Sequence, residues 1–75
     1  MSDLSKQVLN IAVSYLGPAA ERFLERQCSA HLNTSFENLS AGEIPELGRW
    51  ITISAGLVIG KDKAEEFSNK VLALK

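Results

Sequence analysis

Apolar residues recur at helical spacing along most of this chain. From about Asp3 to Leu16, Leu4, Val8, Ile11 and Tyr15 fall one turn apart, and Leu9, Ala12 and Leu16 form a row beside them. Lys6, Asn10 and Ser14 make a narrow polar back. The apolar arc is wider than one neighbouring helix requires. Ser2 is placed to cap the start, and Asp3 sets a negative charge at the positive end of the helix dipole.

Gly17 and Pro18 then interrupt the pattern. Glycine ends a helix cheaply in a conformation that other residues avoid, and proline starts the next where its missing N–H is no loss. The second helix is predicted over about 18–32, with Ala20, Phe23, Leu24, Gln27 and His31 facing one way and Glu21, Arg22, Glu25 and Arg26 the other. Asn33 suits a left-handed end. Thr34 with Glu37, and Ser40 with Glu43, each fit the S/T-x-x-E capping box. Two such starts close together predict a short helical turn near 36–39 and then a new helix.

That third helix is predicted over about 44–59, with Pro45 in its tolerant first turn. Leu47, Trp50, Ile51, Ser54, Leu57 and Val58 fall on one face. A rival reading exists, because "WITIS" and "LVI" are β-branched and Ala55-Gly56 could turn a hairpin between them. The helical spacing, and the weakness of a lone two-stranded hairpin, favour helix. Gly60 closes the segment. A last helix follows over about 62–74, with Asp62 as cap, Ala64, Phe67, Val71 and Leu74 inward, and Lys70 and Lys75 at its negative end. The pattern predicts an all-α fold, a compact bundle of four main helices in a single domain over residues 1–75, without repeats or linkers.

Size sharpens this picture. A chain of 75 residues and 8.2 kDa folds to roughly 4,500 Å² of surface from roughly 12,000 Å² unfolded, so its core is thin and a second subunit would help it. Hydrophobic residues make up 45% and charged residues 23%, which excludes the signature of disorder. A net charge of −1 argues against a nucleic-acid binder, since phosphate contacts need a positive footprint. A helix-turn-helix around the third and fourth segments would have the uncharged run from Trp50 to Gly60 as a poor recognition helix. The same run is too short to span a bilayer, and MSDLSKQ does not read as a signal peptide. One cysteine, Cys28, allows no internal disulfide and points to a reducing compartment. The expectation is a cytoplasmic protein bound neither to nucleic acid nor to membrane.

Candidate chemistry is sparse. Cys28 and His31 form C-x-x-H, a spacing that can put two metal or haem ligands on one side of a helix. No other Cys or His exists, and Glu25 as a third ligand still leaves the set short. The alternative is a partly buried histidine near a helix C-terminus. No nucleophile elbow is present, and the glutamates lie mostly on polar faces, so neither an enzyme nor a cofactor is expected. Arg22 and Arg26 share one row at i and i+4, with Arg49 as a possible third charge. They fit an anionic partner, or ordinary surface pairs with Glu21 and Glu25.

Gly48, Thr52, Gly56 and Gly60 recur every four residues and form a ridge of small side chains flanked by Ala55 and Ile59. Two glycines inside a solvated helix would cost about 2 kcal/mol relative to alanine, which a close helix neighbour would offset. That second neighbour is either the first helix, with its wide apolar arc, or the same segment of a second copy. The interface expected for a homodimer is therefore Gly48, Trp50, Gly56 and Ile59, with Trp50 as anchor.

The stretches "YLGPAAERFLERQ" and "LSAGEIPELGRWITISAGLVIGKDKAEEF" resemble small helical domains of bacteria, cyanobacteria included. Similar "GPxA" helix starts occur in segments attached to bacterial signalling proteins such as kinases and cyclases. The resemblance implies a regulatory or assembly module and carries over no catalytic or binding residue. The expected function is protein–protein interaction, with self-association and no chemistry. The alternative is a small-molecule, haem or metal sensor using Cys28 and His31.

Overall fold

The computed structural model describes residues 1–74, and these are mostly helical, without strands. The first helix, α1, runs Asp3–Leu16. Ser2 caps it by accepting from the Ser5 N–H, as its position predicted. Gly17 ends it at φ 60° and ψ −138°, a conformation open to glycine, and its N–H bonds the Val13 carbonyl. Pro18 then sits in a 3₁₀ turn over Gly17–Ala19, and helix α2 begins at Ala20, two residues later than predicted.

Where four regular helices were expected, the structure has three long ones and a composite second segment. Helix α2 covers only Ala20–Gln27, and a π turn over Cys28–Leu32 continues it to Asn33, which is left-handed at φ 53°. The wider turn changes which residue reaches the core. At α-helical spacing from Leu24, His31 would point inward. In the structure Cys28 is buried and Leu32 half-buried, while His31 is exposed.

Phe36–Asn38 forms a 3₁₀ turn that buries Phe36, with buried Leu39 following it. The Thr34–Glu37 capping box is not formed: Ser35 holds the cap position, and its hydroxyl accepts from the Asn38 side chain and not from the turn's backbone. The Ser40–Glu43 box is complete and opens the 3₁₀ turn Ala41–Glu43. Helix α3 runs from there over Ile44–Ile59, which excludes the hairpin. Gly60 alone, at φ 90°, joins it to helix α4 over Lys61–Leu72. Gly60 thus holds the cap position predicted for Asp62, which lies in the first turn. Lys70 is in the last turn as expected, and Lys75 lies outside the described residues.

The core is Val8, Ala12, Leu24, Cys28, Phe36, Ile44, Leu47, Ile51, Phe67 and Val71, with small residues between them. Three buried polar side chains stitch its edges. Ser5 donates to the Phe36 carbonyl, so the start of α1 is tied to the 3₁₀ turn. Ser68 donates to the Gly48 carbonyl at 2.7 Å, joining α4 to α3. Gln27 accepts from Ser54 at 3.0 Å, joining α2 to α3. On the outer seam between α1 and α4, Tyr15 stacks on Phe67 with centroids 5.2 Å apart and donates to Glu66 at 2.9 Å. No helix among the described residues is long and apolar enough to cross a membrane.

Candidate functional site

The small-residue ridge of α3 is used inside the chain. A Cβ on Gly48 would lie 2.7 Å from Leu72 Cδ2 and 3.2 Å from Ser68 Oγ, both on α4. Gly56 faces the same helix, and its Cβ would stand 3.9 Å from that of Ala64. Ile59 is half-buried against the core. Trp50 is half-buried too, and its ring stacks on His31 with centroids 3.7 Å apart and planes 6° from parallel. The glycine ridge expected at a homodimer contact therefore answers to α4. The contact lies within the chain, but with α4 and not with the first helix that the apolar pattern named.

The exposed apolar surface lies on a different strip of the same helix. Leu57 is 88% exposed and Val58 70%, with Ile53 half open beside them. The sequence pattern placed Leu57 and Val58 on the buried face with Leu47 and Ile51. Sparse contact between α3 and the second segment accounts for the difference. The two run antiparallel, fastened at His31–Trp50 and Gln27–Ser54. Beyond those contacts, toward Ala19 on one side and Val58 on the other, they part. Between them lies a groove of about 470 Å³ lined by Phe23, Ala30, His31, Leu57 and Val58, with Arg22 and Arg26 along one wall.

Arg22 and Arg26 occupy successive turns of α2 and are both exposed. The ion pairs among the described residues are Arg49–Glu46, Lys63–Glu66 and Lys70–Glu66. Glu21 and Glu25, expected as surface partners of the two arginines, do not pair with them. Arg49, weighed as a third positive charge of that group, pairs with Glu46 on its own helix instead. Arg22 and Arg26 also border a second hollow with Glu25, Ser29 and Phe36, so their guanidinium groups stand between two depressions.

Cys28 and His31 are not brought together as a ligand pair. Cys28 is fully enclosed in the core, where burial, with the nearby Glu43 charge as a smaller cause, pushes its thiol up to about 11. A metal-binding thiolate needs the opposite shift. His31 lies outside, against Trp50. No group of three or more His, Cys, Asp and Glu side chains among the described residues is placed to hold a metal ion. The groove thus combines concavity, exposed apolar side chains and charge unpaired among the described residues. Its signal in the sequence was the Arg22–Arg26 row and the apolar excess of α3, but no spacing rule joined the two. Comparison of the chain with protein-family models, with curated proteins and with solved structures gave no match.

Proposed function

We propose that this chain is a protein-interaction module whose working surface is the α2–α3 face, and that it has no chemistry of its own. In this reading the composite segment 18–32 serves as one helix of a four-helix bundle, and the face it shares with α3 is kept open for a partner. The observation that carries the reading is the exposure of Leu57 and Val58, 88% and 70%, beside an apolar groove in a chain whose other buried faces are closed. Adjacent exposed aliphatic side chains next to a concavity mark interaction sites more often than lone surface hydrophobes do. The satisfied polar core supports it as well, since no buried side-chain polar atom among the described residues lacks a hydrogen-bond partner. Nothing inside the fold therefore calls for a small ligand.

The test is a paired comparison of the native chain with the Leu57→Ser, Val58→Ser double variant. One arm measures self-association of the pure proteins by sedimentation. The other compares what each retains from an extract of the source cell. The expected result is association in at least one arm that the double variant loses while keeping its helical circular dichroism. Association unaffected by the two substitutions, or absent from both arms, overturns the reading.

A further inference from the structure

The groove also carries information about what fills it. We infer that its occupant is an acidic amphipathic helix of another protein, lying between α2 and α3 with its apolar row on Leu57, Val58 and Phe23 and its carboxylates on Arg22 and Arg26. This rests on the α2–α3 face being the working surface and adds the class of partner.

Three observations lead to it. The first is shape. The depression is an open trough of about 470 Å³ between two diverging helices, which accepts a few side chains from one helical face. The second is charge. Arg22 and Arg26 line the trough one turn apart and have no ion-pair partner among the described residues. Carboxylates at i and i+4 of an incoming helix repeat at the same interval and match both guanidinium groups. The third is the polar fastening at the trough's inner end. Ser54 donates to the Gln27 Oε1, which leaves the Gln27 amide N–H groups without a partner among the described residues and able to donate to an incoming carboxylate.

The chain's own helices do not fit this description. α4 presents Asp62, Glu65 and Glu66, but its apolar residues Ala64, Phe67 and Val71 are buried. α1 exposes Val13 with no acid near it, and the one acid of α3, Glu46, already pairs with Arg49 and lies nearly two turns from Ile53. α2 sets exposed Glu21 and Glu25 one turn apart, but its Ala20 and Leu24 are buried and its half-buried Phe23 lines the trough itself. Among the described residues a second copy therefore has no surface helix that joins an exposed apolar row to adjacent carboxylates. An anionic membrane would also meet arginines and leucine, but a bilayer favours projecting side chains over a trough. The chain's net charge of −1 disfavours it further.

Trp50, the only tryptophan, stacks on His31 at the end of the trough and gives a built-in reporter. The experiment titrates the full chain with a designed helical peptide carrying leucine at i, i+4 and i+7 and glutamate along one flank. It uses in parallel the same peptide with lysine for glutamate, and vesicles of phosphatidylcholine with phosphatidylserine. Trp50 fluorescence and amide chemical shifts at Ala30, Ser54 and Val58 are followed. The expected result is binding of the glutamate peptide at least tenfold tighter than the lysine peptide, weakened by salt, with shifts centred on the groove. In the Arg22→Glu, Arg26→Glu variant the preference should invert. Equal binding of the two peptides, binding mapped elsewhere, no peptide binding, or binding to vesicles alone overturns the inference. The two levels separate cleanly. If charge makes no difference but Leu57→Ser, Val58→Ser abolishes binding, the acidic partner falls and the interaction face stands. If association elsewhere ignores the double variant, the interaction face itself falls.

Discussion

Gly48 and Gly56 look equivalent in the sequence and are not equivalent in the fold. At Gly48 a Cβ would meet Leu72 closer than real contacts sustain and press tightly on Ser68, and the Ser68–Gly48 hydrogen bond depends on that closeness. Gly48→Val should cost about 1–3 kcal/mol by overpacking. At Gly56 a methyl group finds ordinary contact distance to Ala64 at a normal helical φ. Gly56→Ala should therefore stabilise by about 0.5–1 kcal/mol, mostly by restricting the unfolded chain. Urea unfolding of both variants checks the pair, and equal effects would contradict the packing described. Cys28 gives a second residue-level expectation. Its folded-state value of about 11 lies above the ordinary 9.0 of the unfolded chain. The stability of the neutral buried thiol is then fully present below pH 9 and lost as pH rises through about 11. The stability gap between the native chain and Cys28→Ala should narrow across that window, with lysine and tyrosine titration common to both. A gap independent of pH would mean the thiol ionises as freely in the folded chain as in the unfolded one.

Element boundaries were the most legible part of the sequence, because they depend on local chemistry. Ser2, Gly17, Asn33, the Ser40–Glu43 box and Gly60 each mark an end where the structure has one. What the sequence hid was non-local. The π turn at Cys28–Leu32 has no composition signal, yet it decides that Leu32 and not His31 turns toward the core. Ser5 continues the row of Leu9, Ala12 and Leu16 on α1, and it is fully buried with a partner no local pattern names, the Phe36 carbonyl 31 positions away, which accepts its hydrogen bond. Ser5→Ala removes one of the two hydrogen bonds that carbonyl accepts, the other coming from the Leu39 N–H, and should cost about 0.5–1.5 kcal/mol. The effect should also be directional. Amide exchange should speed up first at Ser2, whose N–H bonds the Glu37 carbonyl, and at Leu39 in the 3₁₀ turn, while α3 and α4 keep their protection. Uniform acceleration along the chain would show that the contact between α1 and the turn is not a separable unit.

At the scale of the molecule, the face of α3 was misread for a reason that also exposes the candidate site. The helix is apolar around most of its circumference, so periodicity alone does not say which strip is buried. The answer depends on the sparse contact between the second segment and α3, which leaves Leu57 and Val58 beyond the Gln27–Ser54 bond. The Arg22–Arg26 row was legible, but its lack of partners and its position on a trough were not, since both follow from where helices part. A second expectation, that so thin a core would lean on another subunit, can be tested against the surface. The folded chain exposes 4394 Å², close to the roughly 4,500 Å² of an independent protein of its mass. The glycine ridge is closed by α4, and the wide face of α1 by its neighbours within the chain. Folding should therefore not require assembly. The thermal midpoint should stay constant over a hundredfold range of protein concentration below the dissociation constant of any self-association, because no subunit contact contributes to the native state there. Leu57→Ser, Val58→Ser should leave that midpoint nearly unchanged, since substitutions at such exposed positions usually fall within about 0.5 kcal/mol. A midpoint that climbs with concentration even in the most dilute samples would make association a condition of the fold. The α2–α3 face would then be an interior surface seen without its other half.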